Sequence, residues 1–192
     1  MESPQPKDAD TQRKSKMTRI LLTGYMGAGK TTLGRALAAK LGLTFIDLDC
    51  YIEERFRKTI SQIFAEKGEE GFRDIERRML HEVAEFEDVI ISTGGGTPCF
   101  FDNIDYMNSK GITVYLQVPV ERLFIRLSIA RKQRPLIKDK NDDELRTFIA
   151  QQLAKREPHY TKAQYSFAAD KLEDSKQIES SVEAFCEQFN LP

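Results

Sequence analysis

Short apolar runs and amphipathic segments alternate along the chain. The apolar runs are rich in Ile, Leu and Val and are bounded by polar residues or glycine, which is typical of buried strands. They predict five strands, at 19–23, 45–48, 89–92, 112–118 and 165–168. Between them, apolar residues recur three or four positions apart, and this periodicity predicts helices at 32–41, 50–66, 69–86, 102–109, 120–129, 142–156 and 176–189.

Strands separated by helices predict an α/β fold with three layers, in which a five-stranded parallel sheet carries helices on both faces. Ligands of such sheets bind at the carboxyl ends of the strands. Residues 17–192 are enough for a single domain with one substantial core. Residues 1–16 carry two prolines, many charges and few apolar side chains, so we expect them to be disordered.

Composition narrows the classes of partner. With 29 basic and 30 acidic residues the net charge is −1, which gives no indication of a nucleic-acid or anionic-membrane partner. No apolar run approaches the roughly 18 residues that span a bilayer, and no signal-peptide core is present. The three cysteines lie far apart and suit a reducing compartment better than a disulfide framework or a zinc site. We therefore expect a cytoplasmic protein without a membrane or nucleic-acid partner.

The sequence GYMGAGKT at 24–31 lies between the first strand and the first helix. It fits the phosphate-binding loop G-x-x-x-x-G-K-[ST], and the strand-to-helix position is the one that this motif requires. Backbone N–H groups and the helix start would bind a polyphosphate, Lys30 would bridge its β- and γ-phosphates, and the Thr31 hydroxyl would bind Mg²⁺. The alternative is a glycine turn with a surface lysine. The ATP-binding residues are predicted to be Gly27, Ala28, Gly29, Lys30, Thr31 and Thr32.

Two carboxylates follow the second strand, at Asp47 and Asp49 in FIDLD. If the extended backbone continues, both side chains face the same way. One carboxylate could act on the water shell of a metal, and the other could accept a proton from an attacking hydroxyl. The alternative is that these aspartates cap the helix that follows.

Two further motifs are candidates for the same sheet edge. Arg73 and Glu76 are three positions apart on one helix face, so Glu76 can orient the guanidinium, although an ordinary surface ion pair has the same spacing. The run TGGG at 93–96 follows the third strand. Three glycines there favour a close approach of backbone to a ligand, with an ordinary turn as the alternative.

Two arginines later in the chain are further candidates for the site. Arg134 lies in a charged loop at about 129–141, where a mobile lid over the phosphates is expected, and Arg156 lies near the end of the helix at 142–156. Solvated surface charge is the alternative interpretation for both.

Taken together, these motifs resemble the shikimate kinase family. The resemblance extends from residue 19 to about residue 165, and rests on GYMGAGKTT, FIDLD, IFAEKGEEGFRDIE, TGGG, RPLI and KREPHY in this order. It implies a P-loop kinase fold with a mobile lid, and a cytoplasmic monomer. The implied reaction is ATP-dependent phosphorylation of the 3-hydroxyl of shikimate, which yields ADP and shikimate 3-phosphate on the pathway to chorismate and aromatic amino acids.

The resemblance also implies roles for individual residues. Shikimate would be held by Asp49, Arg73, Gly95 and Arg156. Arg134 would be the lid arginine on ATP and would assist catalysis with Lys30 and Asp49. Thr31 would bind one Mg²⁺, with Asp47 acting on it through water. No adenine contact is assigned.

Two other functions remain as alternatives. Another small-molecule P-loop kinase, such as a gluconate kinase, would share the phosphate loop but has less need of Arg73, Glu76 and the triple glycine. A nucleotide-binding switch would call for a guanine-reading Asn-Lys-x-Asp, which the sequence lacks. The residues agree with the acceptor that the resemblance implies, a small polyol carboxylate, because fixed arginines suit the carboxylate and Asp49 suits a hydroxyl.

Overall fold

Strands and helices alternate in the computed structural model, which describes residues 18–133 and 136–192. Within these residues one sheet has five parallel strands in the order β2-β3-β1-β4-β5. The strands are β1 (Arg19–Thr23), β2 (Thr44–Asp47), β3 (Val89–Ser92), β4 (Ile112–Gln117) and β5 (Tyr165–Ala168). The predicted five-stranded parallel sheet is confirmed.

Helices connect the strands in the described part of the chain. They are α1 (Lys30–Leu41), α2 (Leu48–Phe56), α3 (Ile60–Val83), α4 (Asn103–Lys110), α5 (Val120–Ile129), α6 (Asp142–Tyr160) and α7 (Ser175–Gln188), with short 3₁₀ turns at Thr97–Cys99 and Arg131–Gln133. None of the helices within the described residues is both long and apolar enough to cross a membrane.

The core lies on both faces of the sheet, as the three-layer prediction requires. Side chains alternate along β1, so Ile20 and Leu22 belong to one apolar cluster and Leu21 to the other. The first cluster includes buried residues of α1, α5, α6 and α7, and the second those of α2, α3 and α4. The central strand is therefore buried from Ile20 to Thr23, and its carboxyl end leads directly into the glycine loop.

The helices predicted at 50–66 and 69–86 have different boundaries in the structure. Arg57 adopts a left-handed conformation and ends α2, and Thr59 begins α3 with a capping box to Gln62. The predicted gap at 67–68 is a kink instead of a loop, because Gly68 has φ 69° and ψ −176° inside α3. The apolar periodicity continues across both features, so periodicity alone could not place the break.

Helix α6 continues past its predicted end at 156. Pro158 lacks an N–H donor and weakens the last turn. The buried Tyr160 holds that turn in place, because its hydroxyl donates to the Gly95 carbonyl at 2.6 Å. Tertiary contacts therefore extend the helix beyond the point at which local sequence would end it.

Two predictions concern residues that lie outside the described ranges. Residues 1–16, which we expect to be disordered, are among them, and so is Arg134, the expected lid arginine. The expected mobility of the segment at 129–141 stays a prediction.

Candidate active site

A cleft of about 600 Å³ opens at the carboxyl edge of the sheet. Its size is in the range of small-molecule and cofactor sites. The glycine loop and the start of α1 form one wall, the residues after β2 and β3 form another, and the end of α5 with residues 172–173 closes the third side. The edge is the one that the parallel topology predicts for ligands.

The glycine loop requires glycine at Gly24 and Gly29. Gly24 has φ 141°, and a Cβ there would lie 2.8 Å from the Leu116 carbonyl oxygen. Gly29 has φ 92° and precedes α1 without a side-chain cap, and a Cβ there would collide with Leu172. The first turn of α1 thus begins in a bare left-handed turn, and its residues Lys30 and Thr31 line the cleft, where the amides of a helix N-terminus suit an anion.

Lys30 is a buried lysine whose ammonium lies at the glycine loop. Its Nζ donates to the carbonyl oxygens of Gly24, at 2.8 Å, and of Tyr25, at 3.1 Å. The carbonyl partners compensate part of the cost of burying the charge. The interpretation of Lys30 as a surface lysine is therefore wrong, and its charge is fixed at the glycine loop, in the lining of the cleft.

The two carboxylate oxygens of Asp47 accept hydrogen bonds from different groups. Its Oδ1 accepts from the backbone N–H groups of Asp49 and Cys50, so it caps α2, and the cap alternative is correct for this residue. Its Oδ2 accepts from the Thr31 hydroxyl at 2.9 Å. The backbone hydrogen bonds to Oδ1 fix the Asp47 carboxylate. Its Oδ2 contacts the Thr31 hydroxyl, which is expected to bind the metal.

Asp49 lies in the first turn of α2, because the chain turns into a helix directly after Asp47. The expectation of continued extended backbone is wrong, but Asp49 still lines the cleft. Burial first, and then the neighbouring Asp47 and Glu76, raise the pKa of its carboxyl group to about 6 against the attraction of Lys30. A carboxylate with a pKa near neutrality suits a general base.

Arg73 is held by a buried carboxylate. Its Nη1 donates to Glu76 Oε2 at 2.8 Å, and the exposed fractions of the two side chains are 12% and 1%. The other Glu76 oxygen, Oε1, accepts from the Thr97 hydroxyl at 2.6 Å. The surface-pair interpretation is therefore wrong, and the pair is an oriented one inside the fold. Phe72, the preceding residue, is buried in the second cluster and stacks on Phe64.

The triple glycine lies between these groups. A Cβ on Gly94 would lie 3.0 Å from Glu76 Oε1 and 3.1 Å from Asp49 Oδ1, and a Cβ on Gly96 would lie 2.8 Å from Arg73 Nη2. Gly95 lies against the glycine loop, since a Cβ there would lie 3.4 Å from the Met26 backbone nitrogen. Side chains at positions 94 and 96 would displace the charged groups, so the ordinary-turn interpretation is insufficient.

Arg156 reaches this edge from α6. Its Nη1 would lie 3.5 Å from a Cβ on Gly95, and its guanidinium lies 5.6 Å from the centre of the Tyr25 ring. It is partly buried. The structure thus brings Lys30, Thr31, Asp47, Asp49 and Gly95 together in the cleft, with Arg73 and Arg156 next to the triple glycine and outside the cleft lining.

Sequence reasoning left an adenine-side role for Arg126 unassigned and missed Glu173. The guanidinium of Arg126, in the last turn of α5, donates to the Gly27 carbonyl at 3.2 Å, the Ala169 carbonyl at 2.9 Å and the Glu173 carboxylate at 3.0 Å. Both side chains line the same cleft as Asp49. The two residues are far apart in the sequence, so no short-range spacing could have identified them as a pair.

Comparisons with known proteins agree with this geometry. The shikimate kinase family model matches residues 26–187. A shikimate kinase from Bacteroides thetaiotaomicron is 63% identical over 175 residues, which are 91% of this chain and 100% of that protein. One from Phocaeicola vulgatus is 60% identical over 174 residues, covering 91% of this chain and 99% of that protein.

Solved structures agree as well. A 1.7 Å crystal structure of shikimate kinase from Bacteroides thetaiotaomicron has a TM-score of 0.87 at 60% identity, covering 91% of this chain and 99% of that one. A shikimate kinase from Acinetobacter baumannii in complex with shikimate has a TM-score of 0.76 at 32% identity, covering 91% and 94%. The chain therefore belongs to the shikimate kinase family, which consists of ATP-dependent phosphotransferases.

Proposed function

We propose that this enzyme transfers the γ-phosphate of ATP to the 3-hydroxyl of shikimate with Asp49 as the proton acceptor. The observation that carries the proposal is the position of Asp49, in one cleft with the buried ammonium of Lys30 and beside the triple glycine that lies against Arg73 and Arg156. The complex of the Acinetobacter baumannii relative with shikimate supports shikimate as the acceptor.

The phosphate side of the proposed site is the glycine loop. The backbone from Gly27 to Thr32 contacts the ATP phosphates, and Lys30 places its charge on the transferring group. From the lid, Arg134 adds a second cation to the same phosphates, as the family resemblance implies. These cations act on charge that spreads over the phosphoryl oxygens during transfer.

The residues present fit one Mg²⁺ ion that arrives with ATP. The Thr31 hydroxyl and the Asp47 carboxylate are hard oxygen donors, 2.9 Å apart, and Mg²⁺ commonly takes one or two carboxylates together with substrate phosphates. Among the described residues no group of three or more His, Cys, Asp or Glu could hold a metal by itself. When bound, the ion would neutralise charge on the phosphate oxygens.

The acceptor side is formed by Arg73, Arg156 and the Gly95 backbone. Each guanidinium can make a two-pronged contact with the carboxylate of shikimate, and the glycine allows backbone to approach the ring. The 3-hydroxyl then lies at Asp49. Its oxygen attacks the γ-phosphorus, the bond to the bridging oxygen breaks with its electron pair leaving on ADP, and Asp49 takes the hydroxyl proton.

The test is release of ADP from ATP with shikimate, with gluconate and with no acceptor, in parallel. We expect release with shikimate alone. Equal release with gluconate would favour another small-molecule kinase, and release without an acceptor would indicate a nucleotide hydrolase. The same assay with Asp49→Asn separates the roles of Asp49 in turnover and in binding of the acceptor.

We also propose that the enzyme works as a cytoplasmic monomer. Free cysteines at Cys50, Cys99 and Cys186 support a reducing compartment. Light scattering coupled to size-exclusion chromatography checks the mass in solution: a value near 22 kDa supports the monomer, and twice that value contradicts it.

A further inference from the structure

The segment that follows the triple glycine places an aromatic face on Arg73. The centre of the Phe100 ring lies 4.0 Å from Arg73 Cζ, well inside the distance of about 6 Å at which a cation and a ring attract each other. Phe72 and Phe64 lie farther from the same Cζ, at 5.1 Å and 5.9 Å. Phe100 is therefore the nearest aromatic neighbour of this guanidinium in the described structure.

The polar partners of Arg73 leave much of the guanidinium unrestrained. Nη1 donates to Glu76, and the contact of Nη2 with the exposed Glu69 is long, at 3.6 Å. Nε is buried and has no hydrogen-bond partner within the described residues. One strong hydrogen bond fixes a point on the planar group but leaves its tilt free.

We propose that Phe100 is a positioning residue that sets the tilt of the Arg73 guanidinium so that it receives the carboxylate of the acceptor. This inference rests on the proposed role of Arg73. The ring contacts the face of the guanidinium and consumes no N–H donor, so the donors at its edge stay available for a two-pronged contact.

Thr97 completes the arrangement from the same segment. Its hydroxyl holds Glu76, and Glu76 holds Nη1, while the ring of Phe100 lies on the guanidinium. Thr97 begins the 3₁₀ turn that follows the triple glycine, and Phe100 is the residue directly after that turn. The segment 97–100 thus restrains Arg73 through its carboxylate partner and through its face.

Phe101 provides a matched control. It is the next residue in the chain, is 53% exposed, and stacks on Arg77 with 5.0 Å between Cζ and the ring centre. Arg77 is one helical turn after Arg73 and pairs with the exposed Asp102. Phe101→Leu therefore removes an aromatic contact with an arginine but leaves the contacts of Arg73 unchanged.

The experiment compares Phe100→Leu, Phe100→Tyr and Phe101→Leu in the full-length enzyme, with separate kinetics for shikimate and ATP. For Phe100→Leu we expect kcat/KM for shikimate to fall roughly three- to thirtyfold, mostly through KM, because leucine keeps apolar volume but has no aromatic face. Phe100→Tyr should restore most of the loss. The KM for ATP should stay within about twofold of wild type in all three variants. In Phe101→Leu, kcat/KM and KM for shikimate should also stay within that range.

Arg73→Ala and the double variant Arg73→Ala with Phe100→Leu separate positioning from a general effect on the fold. If Phe100 acts through Arg73, the second change adds nothing in the Arg73→Ala background. Equal losses from Phe100→Leu in both backgrounds, or equal losses from Phe100→Leu and Phe101→Leu, would overturn the inference. If Arg73→Ala itself leaves shikimate kinetics unchanged, the proposed role of Arg73 fails, whereas a large effect of Arg73→Ala with none of Phe100→Leu rejects this inference alone.

Discussion

Replacing Asp49 by asparagine should reduce activity and stabilise the fold at the same time. Burial, Asp47 and Glu76 raise the pKa of Asp49 from 3.8 to about 6 in the folded enzyme. The folded state therefore holds the proton more tightly than the unfolded state does. The stability that this provides is complete below about pH 4, and is lost as the pH rises through about 6, where Asp49 ionises in the fold.

The size of the effect follows from the shift. Each pKa unit corresponds to about 1.4 kcal/mol, so a rise of about two units makes the ionised Asp49 unfavourable by at most about 3 kcal/mol. Water in the open cleft screens the charge and reduces this penalty, so we expect the ionised Asp49 to be unfavourable by about 1–3 kcal/mol. Asparagine has nearly the same shape and no charge, so Asp49→Asn should raise the free energy of unfolding by that amount at pH 8 and change it little at pH 4.

Urea unfolding of wild type and Asp49→Asn at pH 4 and pH 8 measures this difference. Asp105→Asn is the control, because it removes one negative charge from an exposed position on α4 outside the cleft. In parallel, kcat of wild type should rise with pH through about 6, and Asp49→Asn should lower it roughly 100- to 10,000-fold. Destabilisation at pH 8, or the same change at both pH values, would refute the electrostatic reasoning, and near-normal turnover would refute the role as base.

Three other substitutions test the remaining groups. Lys30→Met should lower kcat roughly 100- to 1000-fold because it removes positive charge at the transferring phosphoryl group; steady-state kinetics check this, and retention of more than about a tenth of kcat would contradict the role. Arg73→Lys should lower kcat/KM for shikimate roughly 30- to several-thousand-fold, since breaking the buried pair between Arg73 and the acceptor carboxylate costs about 2–5 kcal/mol. Nucleotide affinity measured without acceptor should stay within a few-fold of wild type, and an equal fall in both would assign Arg73 to the nucleotide site or to the fold. Thr97→Val should lower the free energy of unfolding by about 1–3 kcal/mol by leaving Glu76 Oε1 without its donor, and Thr97→Ser should not.

The fold and the phosphate loop could be predicted because their determinants are local. β1 and β3 are continuous buried runs, and the glycine loop has to follow one strand and precede one helix. The spacing of Arg73 and Glu76 is also local, since one helix carries both. What spacing could not decide was burial, because a surface pair and a buried pair look the same in sequence.

Features that depend on distant partners could not be predicted. Arg126 contacts Gly27 and Glu173, which are remote from it in sequence, and Phe100 meets Arg73 only because the segment after β3 returns to α3. The point at which α6 ends also depends on a distant partner, since Tyr160 is held by the Gly95 carbonyl. Local propensity contains no information about such contacts.

The contact of the glycine loop with the second half of the chain affects when the nucleotide site can form. Asp49, Arg73 and the triple glycine all lie in the first half of the sequence and leave the ribosome early. Gly27 and Gly29, however, lie against Leu127, Arg126 and Leu172, which are synthesised later. Affinity for ATP should therefore arise only when β5 and residues 169–173 have been added, so a nascent chain that already contains the whole phosphate-binding motif still has an incomplete nucleotide site.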